Sequence, residues 1–432
     1  MNPDELRERH KAVLPEWISL YYERPMELVR GEGFKVWDSE GNEYLDFFGG
    51  IVTTISGHNV PEIVEAVREQ AGKVFHSSTL YLIENQVKLA EKLVSLSPIP
   101  GDQKVFFTVS GTEANEAALL FATTYRGSSE ILALRSSYHG RSFATMAITG
   151  QASWKPTARS PLDVSYVANP YQYRCKFCDG KCNLLCADDV QGVIETATTG
   201  HVAALIAEPI QGVGGFIEAP PRYFERVKSI LDEHGILFIV DEVQTAFGRT
   251  GSHFWGIEAH GVEPDMITLA KGLGNGLSIG AVMGRAELID SISGNLHVST
   301  FGGNHLSTAG ALANIEYILE HNLQQNADEI GGYLKDRLIK MSENNPAVAE
   351  VRGRGLMLGL EIVGPGGEPD PEAAVEFMQE CRTRGVLVGK GGIKANAIRI
   401  SPPLTITREA AEEAANVFEE ALAVAGATEQ VG

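Results

Sequence analysis

Short, almost wholly apolar runs recur along this chain, each closed by a charged or small residue and followed by a stretch of mixed, helix-compatible character. Glu130-Ile-Leu-Ala-Leu134, Ala203-Ala-Leu-Ile-Ala207, Ile236-Leu-Phe-Ile-Val240 and Met266-Ile-Thr-Leu-Ala270 have strand length without apolar/polar alternation. That pattern marks strands buried on both faces. Their alternation with helical stretches predicts an α/β fold around a mainly parallel sheet. Near the N-terminus, Trp37-Asp-Ser-Glu-Gly-Asn-Glu-Tyr44-Leu-Asp places an acidic Gly-Asn centre between apolar flanks and predicts a β-hairpin. Beyond Asn304 the pattern changes. A helix over Leu306 to Glu320, the strand-like Leu356-Met-Leu-Gly-Leu-Glu-Ile362 and an Ala/Glu-rich helix from Arg408 to Leu422 read as an α+β lobe. The expected organisation is an N-terminal arm over 1–59 that joins the smaller domain, a large domain over 60–304 and a C-terminal domain over 305–432, with a mobile tail after Gly426.

The residues that close the runs carry the chemistry. Asp241 directly follows the apolar run ending at Val240, and Lys271 follows Met266–Ala270 and leads into Gly272-Leu-Gly274. In open α/β sheets ligands lie outside the carboxyl ends of strands. A carboxylate there can pair with a cationic ring nitrogen, and a lysine can form a Schiff base; pyridoxal phosphate needs both. Taken singly, each has a plainer reading, Asp241 as a helix N-cap and Lys271 as a surface lysine. A third strand end, Lys104-Val-Phe-Phe-Thr-Val109, runs into Ser110-Gly111-Thr112-Glu113 and a helical stretch. Free N–H groups at a helix start bind anions, Gly111 permits close approach, and Ser110 and Thr112 add hydroxyls. Ser followed three residues later by Glu is equally a capping signal. The turn lacks the Gly-x4-Gly-Lys-Ser/Thr of a P-loop, and Gly272-Leu-Gly274-Asn-Gly276 lacks dinucleotide-binding spacing.

With these residues assembled, the chain resembles the class III aminotransferases among the fold type I pyridoxal phosphate enzymes. The matching stretches are Ser110-Gly-Thr-Glu-Ala-Asn115, Tyr138-His-Gly-Arg141, Glu208-Pro-Ile-Gln-Gly212, Asp241-Glu-Val-Gln-Thr245 with Phe247-Gly-Arg-Thr-Gly251, Lys271-Gly, Thr300-Phe-Gly-Gly-Asn304 and Arg399-Ile-Ser-Pro-Pro403. The resemblance implies pyridoxal 5'-phosphate bound covalently by Lys271, which then serves as base and acid of a proton shift. Asp241 would meet the ring nitrogen, Gln244 the ring hydroxyl, Tyr138 the ring face, and Gly111 with Thr112 the phosphate. Ser110, His139, Glu208 and Val243 complete the expected cofactor-binding set. Thr300 would reach the phosphate of a neighbouring subunit, implying a homodimer at least. The family usually has proline after Gly-Gly-Asn, where this chain has His305; a small change in loop stiffness is expected.

For substrate, Arg399 resembles the family's α-carboxylate arginine and Glu208 the glutamate that covers it when an ω-amine donor binds. Arg141 resembles an arginine that holds a distal carboxylate. Paired charge-assisted hydrogen bonds make arginine suited to these roles. Tyr44-Leu-Asp-Phe-Phe48-Gly-Gly-Ile-Val52, Gly251-Ser-His-Phe-Trp-Gly256 and Val351-Arg-Gly-Arg-Gly-Leu-Met357 are similar to the mitochondrial-type alanine–glyoxylate aminotransferases that also use β-aminoisobutyrate and β-alanine. The expected reaction moves an amino group from alanine, β-alanine or another ω-amino acid to pyruvate or glyoxylate. The alternatives are 4-aminobutyrate or acetylornithine/ornithine transamination with 2-oxoglutarate, or a lyase, aminomutase or racemase on the same scaffold.

Bulk properties narrow the partners. The formal charge of −20 over 432 residues argues against nucleic acid or an anionic membrane, so local arginines must overcome the global field for an anionic substrate. No apolar window approaches membrane-spanning length and Met1 to His10 is no signal peptide, so a cytoplasmic protein is expected. Four of the five cysteines crowd into Cys175-Lys-Phe-Cys178-Asp-Gly-Lys-Cys182-Asn-Leu-Leu-Cys186, in an insertion over about 171–187. Their spacing does not match paired C-x2-C knuckles. The run is read as a reduced loop without metal, with zinc ligation or disulfides as alternatives, and Cys381 as a core residue.

Overall fold

The computed structural model describes residues 3–18, 20–157, 159–178, 182–294 and 297–425. The tail after Gly426 lies outside the described residues. Among the described residues a seven-stranded sheet runs in the spatial order Gln103–Thr108, Gly280–Arg285, Met266–Leu269, Leu237–Asp241, Ala204–Ala207, Glu130–Leu134, Asp163–Val167. It is mainly parallel, as expected. Only Gly280–Arg285 opposes its neighbours, and it separates the phosphate-turn strand from the lysine strand.

Every residue of Ala204–Ala207, Leu237–Asp241 and Met266–Leu269 is buried. Successive side chains point to opposite faces of a strand, so each run feeds two apolar clusters. Phe238 and Val240 join one, and Leu237 and Ile239 the other. Two-sided burial explains why these runs show no alternation in sequence.

The expected hairpin forms between Lys35–Asp38 and Glu43–Asp46, with Trp37 opposite Glu43. Asp38 ties its turn by accepting from the backbone N–H groups of Glu40 and Asn42. The short strand Val386–Leu387 pairs in parallel with Glu43–Asp46, bringing distant chain segments into one sheet. A further four-stranded sheet runs Val348–Arg354, Met357–Ile362, Ala397–Ile400, Gly389–Gly391 and carries Arg399. The helix expected from Leu306 begins one residue earlier, as His305–Glu320, because the Asn304 side chain caps it by accepting from the Ser307 N–H at 3.0 Å.

Candidate active site

The strand ends converge as the chain order of their residues requires. Asp241 closes its strand and pairs in register with Thr268, Glu208 follows Ala204–Ala207 by one residue, and Lys271 follows Met266–Leu269 by two. Asp241 is 4% exposed. Its Oδ2 accepts from Asn115 Nδ2 and faces His139 Nδ1, both at 2.8 Å, and its Oδ1 accepts from the Val243 N–H at 3.1 Å. Asn115 is fixed in turn by donating to the His139 carbonyl at 2.8 Å and accepting from the Thr268 hydroxyl at 2.7 Å. No helix starts directly after Asp241, so it is not a helix N-cap. Sequence reasoning gave no role to Asn115 or Thr268; the signal was a helix position four residues after Gly111 and a polar residue inside an apolar strand.

Lys271 is half-buried, and its ammonium group makes no hydrogen bond or ion pair among the described residues. Burial, with the Arg399 charge adding to it and those of Asp241 and Glu208 opposing, pushes its amine down to about 8. Its backbone sits at φ +44°, in the left-handed region that lysine seldom adopts.

The phosphate turn has the expected capping geometry: Ser110 Oγ accepts from the Glu113 N–H at 3.2 Å, while Glu113 Oε2 accepts from the Val109 N–H at 2.8 Å. The first-turn N–H groups of a helix lack intrahelical partners. A Cβ on Gly111 would lie 3.1 Å from Val243 and 3.4 Å from Ala270, so this turn nests against both the aspartate and the lysine strand ends. Thr112 Oγ1 packs against Gly140, whose missing Cβ would come within 2.7 Å of it.

Tyr138 donates its N–H to Glu208 Oε1 at 3.0 Å, and its ring meets Trp154 edge-on at 4.9 Å between centroids. Burial raises the Tyr138 phenol, against the nearby Arg141 charge. Gln244 lies over Gly212, where a Cβ would come within 2.0 Å of its amide nitrogen. Gln244 Oε1 and His139 Nε2 are buried without a hydrogen-bond partner.

Glu208 is 3% exposed, and its other oxygen accepts from the Gly212 N–H at 2.8 Å. Burial raises its carboxyl to about 7, with Asp241 adding and His139 opposing. It makes no ion pair with Arg399. Instead Arg399, on Ala397–Ile400, donates from Nε to the Lys390 carbonyl at 3.1 Å and from one terminal nitrogen to the Tyr21 hydroxyl at 3.4 Å. Its guanidinium carbon lies 5.0 Å from the Phe48 ring and 5.6 Å from that of Phe216. The other terminal nitrogen is buried and unpaired. Two further residues stand apart. Arg141 is exposed and without an ion pair among the described residues, and Thr300 is exposed in a segment linked to the phosphate turn by the Ser299 hydroxyl donating to Glu113 at 3.1 Å.

These residues suit pyridoxal phosphate. An amine with a depressed pKa lies within reach of a fixed carboxylate, Gln244 has an orphaned buried oxygen, and the glycines at 111 and 212 let Val243, Ala270 and Gln244 pack close where a side chain would clash.

The sequence profile of the family Aminotransferase class-III matches residues 21–422. The chain is 42% identical to "alanine–glyoxylate aminotransferase 2 homolog 2, mitochondrial" of Arabidopsis thaliana, covering 95% of this chain and 85% of that protein. It is 39% identical to a leucine/methionine racemase of Thermococcus litoralis, covering 98% of this chain and 96% of that one. A thermostable (S)-enantioselective omega-transaminase structure from Thermomicrobium roseum matches with a TM-score of 0.90 at 34% identity, over 98% of this chain and 99% of that one. The chain belongs to the class III aminotransferases: it has the fold type I architecture, depends on pyridoxal phosphate and transfers amino groups between amino and oxo-acid substrates. No helix among the described residues is long and apolar enough to cross a membrane.

Proposed function

We propose that this enzyme moves an amino group from alanine, β-alanine or another ω-amino acid to pyruvate or glyoxylate, working as a homodimer in the cytoplasm. The observation that carries the substrate reading is Arg399. A buried guanidinium with one unpaired nitrogen, held between two aromatic rings, has spare donors for a visiting carboxylate. The relationship to alanine–glyoxylate aminotransferases supports the donor and acceptor named.

Pyridoxal phosphate, when bound, supplies the aldehyde that takes up the amine and the ring that withdraws electrons from the substrate's Cα–H bond. The chain's own residues do the rest. Lys271 would hold the aldehyde covalently when no substrate is present, and its Nζ would take the substrate's Cα proton and carry it in the transfer. An amine lowered to about 8 is partly neutral near physiological pH, as a base must be. Asp241 keeps the ring nitrogen protonated, and the hydrogen bonds from Asn115, His139 and Val243 hold its carboxylate in one orientation. Gln244, with its unpaired oxygen, would meet the ring hydroxyl, Tyr138 would cover a ring face, and Gly111 and Thr112 would hold the phosphate with Ser110 beside them. Glu208 swings onto Arg399 for ω-amine donors and back for α-oxo acids. Arg141 takes a distal carboxylate where one is present. Thr300 serves the neighbouring subunit's phosphate, consistent with its exposure beside exposed Phe301 and Val298. The arm over 1–59 and the region over 305–432 form one small domain against the large domain over 60–304, a division supported by the pairing of Val386–Leu387 with Glu43–Asp46.

A half-reaction screen tests the reading: alanine, β-alanine, β-aminoisobutyrate, 4-aminobutyrate and acetylornithine are mixed with the enzyme while its visible absorbance is followed, and glyoxylate or pyruvate is then added. Bleaching by the first three, reversed by either oxo acid, is expected. A marked preference for 4-aminobutyrate or acetylornithine would overturn the donor assignment. The relationship to an amino-acid racemase supports one other reading, in which Lys271 takes the Cα proton and a proton returns to Cα on the opposite face. Conversion of L-alanine to D-alanine without oxo-acid formation would establish that reading instead.

A further inference from the structure

The four clustered cysteines are the strongest chemical feature that the reaction leaves unused. Their C-x2-C-x3-C-x3-C spacing is irregular in sequence, yet the fold gathers all four around one cavity. Cys175, Cys178, Cys182 and Cys186 line a space of about 80 Å³, closed otherwise only by Pro170 and Gln172. All four are free thiols.

Core packing explains only part of this. A buried cysteine behaves as a small apolar side chain, which accounts for Cys186 in the main apolar cluster and for Cys175 packed against it. It does not account for half-buried Cys178 and exposed Cys182 converging on the same space. Local bonds hold the ring of sulfurs: the Cys175 N–H donates to the Gln172 carbonyl at 3.2 Å, and the Cys178 thiol donates to Asn183 Oδ1 at 3.3 Å, an oxygen that also accepts from the Leu185 N–H at 3.2 Å. Cys186 lies in the first turn of the helix Leu185–Ala197, where the helix dipole favours a thiolate.

The ring is open: among the described residues no three His, Cys, Asp or Glu side chains are already arranged to hold a metal. Tetrahedral zinc, with Zn–S bonds of about 2.3 Å, would draw the sulfurs to about 3.8 Å from one another. We propose that Cys175, Cys178, Cys182 and Cys186 bind a single zinc ion as a tetrathiolate, releasing four protons to give a dianionic centre beside Lys176 and Arg174. This departs from the metal-free loop expected from spacing alone.

The centre is structural. Arg174, the residue before Cys175, donates to Glu361 of the small-domain sheet at 3.0 Å. Cys175 also lines a second cavity of about 320 Å³, whose wall includes Gly392 and Asn396, the residues flanking the strands Gly389–Gly391 and Ala397–Ile400. Zinc would thus fasten the insertion that forms one side of the junction between the central sheet and the Arg399 sheet.

The test uses the intact, cofactor-loaded protein purified under reducing conditions. Elemental analysis is expected to find about one zinc per chain, and the Cys178→Ser/Cys182→Ser double variant to lose it while keeping the bound cofactor's absorbance. That variant should also be cut at least about tenfold faster by protease within the insertion. Cys381→Ala should keep the metal. If the double variant does not accumulate, chelation of the native protein should expose four additional titratable thiols. Metal-free protein with these four thiols reduced, a mass lower by about 2 Da per bridge from disulfides, or iron with labile sulfide would each overturn the assignment.

Discussion

Asp241 and Arg399 are both buried charges whose fields reach Lys271, and they are held in opposite ways. Both oxygens of Asp241 are engaged, by a side-chain amide, a histidine and a backbone N–H, and the amide is itself anchored at its other end. Arg399 has one hydrogen bond of ordinary length, one at 3.4 Å, two aromatic rings and a nitrogen with no partner. The difference suits the two tasks proposed for them. A group that must present the same charge in the same place every cycle is fixed by saturating its bonds. A group that must receive successive substrates keeps unsatisfied donors against surfaces that bind it weakly, since a cation over a ring contributes about 0.5–2 kcal/mol.

Substitutions can break this contrast, and the largest effect belongs to the residue between the two charges. Lys271→Ala should retain cofactor but lose turnover by roughly a thousandfold or more, measured in single-turnover absorbance experiments; appreciable turnover without added amine would refute its role in proton transfer. Asp241→Asn keeps the shape and removes the charge. It should lower kcat by roughly 100- to 1,000-fold with every donor alike, because it acts on the ring and not on the substrate. Arg399→Lys, in contrast, should raise KM for glyoxylate or pyruvate about 10- to 100-fold while leaving the rate with a carboxylate-free amine little changed, the loss of a paired charge-assisted contact. Equal losses with both kinds of substrate would erase the distinction drawn here. The smallest effect concerns support: Thr268→Val removes the donor that steadies Asn115 and should cost about 1–2 kcal/mol of unfolding free energy in denaturant titration, with kcat reduced severalfold.

The amine of Lys271 adds a pH test. Its folded pKa, about 8, lies below the unfolded lysine value near 10.4, so the folded state binds fewer protons between them. The resulting penalty is complete below about 8 and disappears as pH rises through about 10.4. Apoenzyme should therefore gain stability relative to Lys271→Met across that window, as thermal unfolding at several pH values would reveal. The rate at which apoenzyme takes up pyridoxal phosphate should rise through about pH 8, as the neutral amine becomes available.

The acid side of the site was largely legible in the sequence, and the arginine side was not. Asp241, Glu208 and Lys271 stand at or just past the ends of mainly apolar runs, and a parallel sheet must bring such ends together. The hairpin was equally readable, because turn chemistry is local. Arg399 could be matched to a family motif, but its surroundings come from Tyr21, Phe48, Phe216 and Lys390, far apart in the chain and joined only by tertiary packing. The position of Glu208, bonded to Tyr138 and Gly212 and away from Arg399, likewise depends on where three loops meet. The gathering of the four cysteines was not legible for the same reason, since convergence on one cavity is a property of the fold and not of the intervals.

Lys271 also carries a cost that its chemistry does not reveal. Its backbone occupies a left-handed conformation in which a side chain is disfavoured by about 1 kcal/mol, and its amine is held partly out of water. On stability alone glycine would suit this position better. Mutational drift at codon 271 would therefore run away from lysine whenever the reaction ceased to matter to the host. A descendant that had abandoned transamination should betray the loss at this position early, while the buried strands around it still spelled out the ancestral fold.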